Sequence, residues 1–169
     1  MSKRISFILP AYKAKYFYQA ISSILNQTYT DFELVIVNDA SPEDLDTIVS
    51  SFDDSRIRYY KNKENIGGRN LVAQWNKCLE YATGEYVILA SDDDIYFPEY
   101  LSKMSELVDK YPDVNVFRPR VQLIDGNDNV IRVEGYLVEH ISSLEFMYLL
   151  QHRMIYGGIP YYIFKKEAL

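Results

Sequence analysis

The sequence predicts an α/β fold: a three-layer α/β/α sandwich around a mostly parallel, Rossmann-like sheet, with a hairpin and a mixed C-terminal part. Three observations carry this. Short apolar runs that do not alternate in polarity recur along the chain. Segments with apolar residues at helical spacing separate them. Polar stretches follow the runs, where an open parallel sheet gathers its ligand groups. Strands that alternate with helices imply βαβ units, with helices covering both faces of the sheet.

Each element follows from its residues. Residues 5–9 (ISFIL) make an apolar run stopped by Pro10, and residues 16–26 carry Ala20, Ile21, Ile24 and Leu25 at helical spacing. Residues 32–37 (FELVIV) are apolar on both faces, as a buried parallel strand should be. Ser41-Pro42-Glu43-Asp44 reads as a helix start, with a capping serine, a first-turn proline and acids at the positive helix end. Leu45, Ile48, Val49 and Phe52 continue that helix on one face, and residues 57–61 form a third strand. Residues 70–82 predict a helix with Leu71, Trp75, Cys78, Leu79 and Ala82 inward, closed by Gly84 in the left-handed conformation. Residues 86–90 are a fourth strand, residues 98–110 a helix with Leu101, Met104, Leu107 and Val108 inward, and residues 114–117 a fifth strand. The pattern then changes. Residues 121–124 and 130–133 flank Asp125-Gly126-Asn127-Asp128-Asn129, a hairpin turn by composition. Residues 142–152 form an amphipathic helix opened by a Ser142-x-x-Glu145 capping box. Gly157-Gly158-Ile159-Pro160 is a turn, residues 161–164 a last strand, and residues 165–169 the opening of another element.

Composition narrows the function. A chain of 169 residues, 48% hydrophobic and 25% charged, is expected to be one domain, residues 1–169, with a real core. The 18 basic against 24 acidic residues give a net charge of -6, so nucleic acid is not an expected partner, because phosphate contacts need clustered cations. No apolar run approaches the ~20 residues of a membrane span. Met1-Ser2-Lys3-Arg4 leads straight into a strand, which is not how a signal peptide is built. A single cysteine, Cys78, excludes an internal disulfide and a cysteine-based zinc site, and fits a reducing compartment, the cytoplasm. With 16 tyrosines, aromatic faces are available to line a ligand cleft.

The strand ends hold the chemistry. Pro10-Ala11-Tyr12 follows the first strand, Asn38-Asp39-Ala40-Ser41 the second, a loop with Asn65, Gly67, Gly68 and Arg69 the third, and Ser91-Asp92-Asp93-Asp94 the fourth. Three adjacent carboxylates repel one another and are tolerated best around a divalent cation, for which hard oxygen ligands suit Mg²⁺ or Mn²⁺. Such an ion lets an acidic protein hold an anionic diphosphate. Asp39 could accept a hydrogen bond from a base ring, Tyr12 could stack on it, and Gly67 would let backbone approach a ligand. The glycine loop is neither G-x-G-x-x-G nor a Walker loop. His140 and His152 stand alone, no nucleophile elbow is present, and Cys78 faces inward as a structural residue.

In order along the chain, these segments resemble family-2-type glycosyltransferases with the nucleotide-diphospho-sugar (GT-A) fold. The matching stretches are Ile5-Ser6-Phe7-Ile8-Leu9-Pro10-Ala11-Tyr12, the second strand with its Asp39-Ala40-Ser41 ending, Asn65-Ile66-Gly67, the run from Trp75-Asn76 to Gly84-Glu85-Tyr86, and Ser91-Asp92-Asp93-Asp94 with the helix start after it. The resemblance covers roughly residues 5–110 well. It implies that Pro10, Ala11 and Tyr12 wall a base pocket and that Asp39 hydrogen-bonds the base. Asn65, Gly67, Arg69 and Asn76 would join the nucleotide-sugar site. Asp92 and Asp93 would meet the ribose, the diphosphate and a Mn²⁺ or Mg²⁺ ion. Asp93 is the metal ligand in either register of the acidic motif, since Ser91 stands where the family commonly has an acid. The implied reaction moves a sugar, expected to be UDP-linked, to an acceptor hydroxyl with inversion, in polysaccharide or glycoconjugate synthesis.

The implied partners are a nucleoside-diphosphate sugar and a carbohydrate or glycolipid acceptor, which could hold the protein at the inner face of a membrane. Residues 1–117 would be the nucleotide-binding half and residues 118–169 the start of the acceptor region. The family's general base lies well after the acidic motif, so it is expected beyond Leu169, and these residues alone are expected to be inactive. The alternative is a non-catalytic nucleotide-sugar-binding module.

Overall fold

The computed structural model describes residues 4–136 and 138–169, so the N-terminal reading of Met1-Ser2-Lys3 lies outside the described residues. The first half alternates strand and helix: β1 (Ile5–Ala11), α1 (Phe17–Leu25), β2 (Phe32–Asn38), α2 (Leu45–Ser50), β3 (Ile57–Lys61), α3 (Leu71–Leu79), β4 (Tyr86–Leu89) and α4 (Tyr100–Lys110). Then follow β5 (Val116–Phe117), β6 (Gln122–Ile124), β7 (Val130–Val133), α5 (Ser143–Gln151) and β8 (Ile163–Lys165), with single 3₁₀ turns at Ile159–Tyr161 and Lys166–Ala168. The main sheet runs β3-β2-β1-β4-β8-β5. β3, β2, β1 and β4 are parallel, and β8 pairs antiparallel with both β4 and β5. β6 and β7 form the separate hairpin.

The non-alternating apolar runs are explained by two cores, one on each face. Phe7, Leu9, Leu34, Ile36 and Ile88 point to one side and pack with Phe17, Ile21 and Ile24 of α1, Leu45 and Val49 of α2, and Leu101, Met104 and Val108 of α4. Ile8, Val35, Val37, Val87 and Leu89 point to the other and meet Cys78 and Ala82. Each fully buried side chain of this size contributes about 1.5–3 kcal/mol. Much of the aromatic content is core: Phe7 meets Tyr96 edge-on with centroids 5.0 Å apart. Burial pushes the Cys78 thiol up to about 12, with a smaller push from the charge of Asp39, so it is an inert core residue.

Several local expectations change. The second helix starts at Leu45, capped by the Asp44 side chain on the Thr47 amide, and not at Ser41-Pro42. Ser41 is otherwise engaged: its hydroxyl donates to the Tyr12 carbonyl at 2.6 Å and accepts from the Glu43 amide. Along α3, Gln74 and Cys78 face the sheet, while Leu71 is 52% exposed. The helix is rotated because the buried Asn62 side chain donates to Gln74 Oε1. Gly84 is not left-handed, and no described glycine has a positive φ. Glycine is required at position 84 because a Cβ there would stand 2.8 Å from the Ser6 amide nitrogen. In the hairpin turn the left-handed residue is Asp128, at φ 62°. The Ser142–Glu145 capping box forms as expected, but no residue of α5 is fully buried. No helix of the described residues is long and apolar enough to cross a membrane.

A charged knot ties the end of the sheet opposite the polar strand ends. Glu33, 4% exposed on β2, accepts from Ser6 Oγ at 2.6 Å, from the Thr83 amide at 2.6 Å and hydroxyl at 2.8 Å, and from Arg58 Nη1 at 2.7 Å. Burial raises its pKa, but the bonds from Ser6, Thr83 and Arg58 outweigh burial and hold the carboxyl below the usual range. Because the folded pKa is depressed, the stabilisation is present above the unfolded value and is lost as pH falls through the folded one. Glu33→Ala is therefore expected to cost about 3 kcal/mol at neutral pH, read as a lower urea midpoint. The variant's deficit should shrink below about pH 4. A deficit that does not change with acidification would contradict this role.

Candidate active site

The candidate site lies at the carboxyl ends of the parallel strands, where β1 sits between β2 and β4. The chain leaves β1 toward one side and β4 toward the other, so this is the switch point at which open α/β sheets bind ligands. One strand end bridges the two acidic segments. The Asp39 amide donates to the Ala11 carbonyl at 2.9 Å, and the next two residues, Tyr12 and Lys13, both donate their amides to Asp92 Oδ2 at 2.9 Å. Asp39, Tyr12 and Asp92 thus meet around the end of β1. Pro10 lies within β1, half-buried, and Tyr12 is 40% exposed with its ring available.

Asp39 is buried and hydrogen-bonded to the loop after β3. Its Oδ1 accepts from Asn62 Nδ2 at 2.7 Å and the Ile66 amide at 3.0 Å, and its Oδ2 accepts from the Gly67 amide at 2.7 Å. A carboxylate offers about four acceptor positions, so capacity for a ligand N–H remains. A Cβ on Gly67 would stand 3.0 Å from Asp39 Oδ2, which explains the glycine. Ala40 takes φ 52°, a left-handed conformation that is costly outside glycine and turns the chain sharply after Asp39. Asn65 closes the same loop by accepting from the Gly68 amide.

The acidic corner follows β4. Asp92 is half-buried and committed through one oxygen to the loop after β1, and Asp93 is exposed and accepts from Ser91 Oγ. Asp94 is raised to about 6, first by burial and then by the charges of Asp93 and Asp92. The smaller part of that shift reflects the negative charge gathered here. A divalent cation fits it: the donors are hard oxygens, and both Asp92 and Asp93 keep one oxygen without a hydrogen bond among the described residues. No group of three or more His, Cys, Asp or Glu side chains among the described residues forms a cage for a metal. An ion here would complete its shell from a diphosphate and water, as Mg²⁺ commonly does.

Two expected residues make no hydrogen bond to these groups. Arg69 is exposed and pairs with Glu64 at 3.3 Å, and Asn76 is exposed on α3. Asn62 and Gln74 are buried beside Asp39 and were not singled out from the sequence. A buried glutamine on a helix reads as an exposed one unless its partner is known. Glu43 also belongs here, since its carboxylate accepts from the Ala14 amide at 2.6 Å.

This sheet order, with its polar switch point and acidic corner after β4, defines a GT-A-type nucleotide-diphospho-sugar fold. Residues 6–167 match the family model for glycosyl transferase family 2, and the chain belongs to that family. It is 30% identical over 177 residues to an uncharacterized glycosyltransferase of Rickettsia typhi, covering 99% of this chain and 54% of the relative. A similar protein of Methanocaldococcus jannaschii is 31% identical over 150 residues, covering 84% of this chain and 51% of the relative. The chain thus spans about half the length of these curated relatives. Among solved structures, TarS of S. aureus in complex with UDP superimposes with a TM-score of 0.77 at 23% identity, covering 96% of this chain and 47% of that one. A second TarS structure, in complex with UDP-GlcNAc, gives the same TM-score of 0.77. At that identity the likeness is one of fold.

Asp39→Asn replaces an acceptor oxygen with an N–H donor facing the Gly67 or Ile66 amide. The substitution is expected to cost about 1–3 kcal/mol and to speed hydrogen exchange at those two amides. Unchanged protection at Ile66 and Gly67 would remove Asp39 as the anchor of this loop.

Proposed function

We propose that this chain is the donor-binding part of an inverting, metal-dependent glycosyltransferase that takes a sugar from a nucleoside diphosphate, UDP in the first instance. The observation that carries the reading is the meeting of Asp39, Tyr12 and Asp92 around the end of β1. Family membership supports it, as does the likeness in fold to a protein solved with UDP and with UDP-GlcNAc.

In this reading Tyr12 stacks on the base and Asp39 accepts its ring N–H, with Pro10 and Ala11 as the adjoining wall. The Ile66 and Gly67 amides hold Asp39 in place before the ligand arrives, so little ordering is left for binding to cost. Asn65 and Gly67 shape the loop under the nucleotide, and Arg69 and Asn76 lie at its outer margin. Asp93 and Asp92 hold a Mn²⁺ or Mg²⁺ ion, which when bound neutralises charge developing on the departing nucleoside diphosphate. The acceptor, a carbohydrate or glycolipid hydroxyl, attacks the anomeric carbon from the opposite face.

Two carboxylates of the C-terminal part, Glu134 and Glu167, are engaged elsewhere. Glu134 is 4% exposed and accepts from both Arg118 and the Tyr156 amide, and Glu167 pairs with Lys165 at 2.7 Å. We therefore place the general base outside these residues and expect donor binding without efficient transfer. Sustained sugar transfer by the 169-residue chain would overturn that part.

The direct test is calorimetric titration of UDP with and without Mn²⁺, on the wild type and Asp93→Asn. Wild-type binding is expected to strengthen at least about tenfold with metal, a difference of about 1.4 kcal/mol. Asp93→Asn should lose most of that gain. Binding indifferent to both metal and substitution would remove the proposed role of the acidic corner.

A further inference from the structure

The sheet order sets out a line of positions along the site edge. Asp39 ends β2, Tyr12 follows β1, and Asp92 follows β4. The next strand is β8, which runs antiparallel, so the residues leading into it lie at this same edge. The 3₁₀ turn Ile159–Tyr161 that leads into β8 lies against β4, whose C-terminal end opens onto the acidic motif. If the base lies over β2 and β1 and the diphosphate over β1 and β4, the next group outward falls beside Tyr161. In a nucleotide-sugar that group is the sugar.

The structure fixes Tyr161 more tightly than a turn residue requires. Tyr96 donates its hydroxyl to the Pro160 carbonyl, and Tyr100 donates to the Tyr161 carbonyl at 2.8 Å. Both tyrosines are buried, and Tyr96 lies two residues after Asp94. The segment after the acidic motif therefore ties down the backbone that carries Tyr161. Gly158 leaves room for the side chain: a Cβ there would stand 2.2 Å from the Tyr161 hydroxyl oxygen. Yet that hydroxyl makes no hydrogen bond among the described residues, and it is not among the fully buried orphan atoms, which are Gln74 Nε2 and Arg118 Nε. It is reachable from solvent, and only the backbone that carries it is fastened. Asp94 lies close enough for its charge to bear on the phenol.

We propose that the Tyr161 hydroxyl is a hydrogen-bonding group for the sugar of a nucleotide-sugar donor, on a backbone fastened by Tyr96 and Tyr100 and in space left by Gly158. The proposal rests on the nucleotide-sugar reading above and adds to it the residue that meets the sugar. Tyr96 and Tyr100 act through Tyr161 and are positioning residues.

The test compares two probes, UDP and UDP-N-acetylglucosamine, each titrated with Mn²⁺ into wild type, Tyr161→Phe and Gly158→Ala. Tyr161→Phe removes no hydrogen bond within the protein, so its melting temperature and its UDP affinity should match wild type within about twofold. Its affinity for UDP-N-acetylglucosamine should fall about three- to tenfold, the scale of one hydrogen bond. Gly158→Ala displaces the phenol and should show the same selective loss. Equal weakening of both probes, or no weakening of either, overturns the role of Tyr161 while leaving the nucleotide site standing. A wild type that binds neither probe overturns the nucleotide-sugar reading and this inference with it.

Discussion

The carboxylate of Asp92 accepting the Tyr12 and Lys13 amides is the contact on which the site edge depends. It joins the loop leaving β1 to the segment leaving β4, two strands that pair along their length but whose connections diverge. Without it, the residues after β1 would have no fixed relation to the acidic corner. The bond is charge-assisted at both amides, and such bonds run roughly twice as strong as neutral ones. It also spends one oxygen of a residue that a metal would otherwise claim in full. Asp92 is thus part scaffold and part ligand in this account, while the exposed Asp93 keeps more of its coordinating capacity.

A second constraint acts from the other side of β1. The Asp39 carboxylate is held by Asn62 and by two consecutive loop amides, and Asn62 is shared with Gln74 on α3. The loop after β3, the start of α3 and the end of β2 are therefore one hydrogen-bonded unit. Low dielectric strengthens such a network and makes each missing partner costly. The result is a rigid floor under the place where a base would stack, with its geometry set before any ligand is present.

The strands and the order of layers were legible in the sequence because buried parallel strands are mostly apolar on both faces. The runs FELVIV and YVIL show this, and the one charged residue among them, Glu33, is buried only because Ser6, Thr83 and Arg58 bond it. The acidic corner was legible because three consecutive carboxylates after a buried strand have few physical explanations. Helix starts were less so: Ser41 has the chemistry of a cap, but its hydroxyl is taken by the Tyr12 carbonyl just after β1, a partner 29 residues away in sequence. Gln74 and Asn62 were hidden because a buried amide is recognised by its partner and not by its type. Gly84 shows the same limit, since its reason is the close approach of Ser6 and not a turn. Tyr161 was one of 16 tyrosines, and only the fastening of its backbone and the freedom of its hydroxyl set it apart.

The central claim is that one ligand occupies the edge between β2, β1 and β4. Amide chemical-shift mapping during a UDP titration in the presence of Mg²⁺ tests it most directly. The account expects the largest changes at Tyr12, Lys13, Ile66 and Gly67, whose amides already point at the two site carboxylates. Changes concentrated instead around the cavity between α4, β5 and α5, at residues such as Phe117, Ile141 and Phe146, would contradict it.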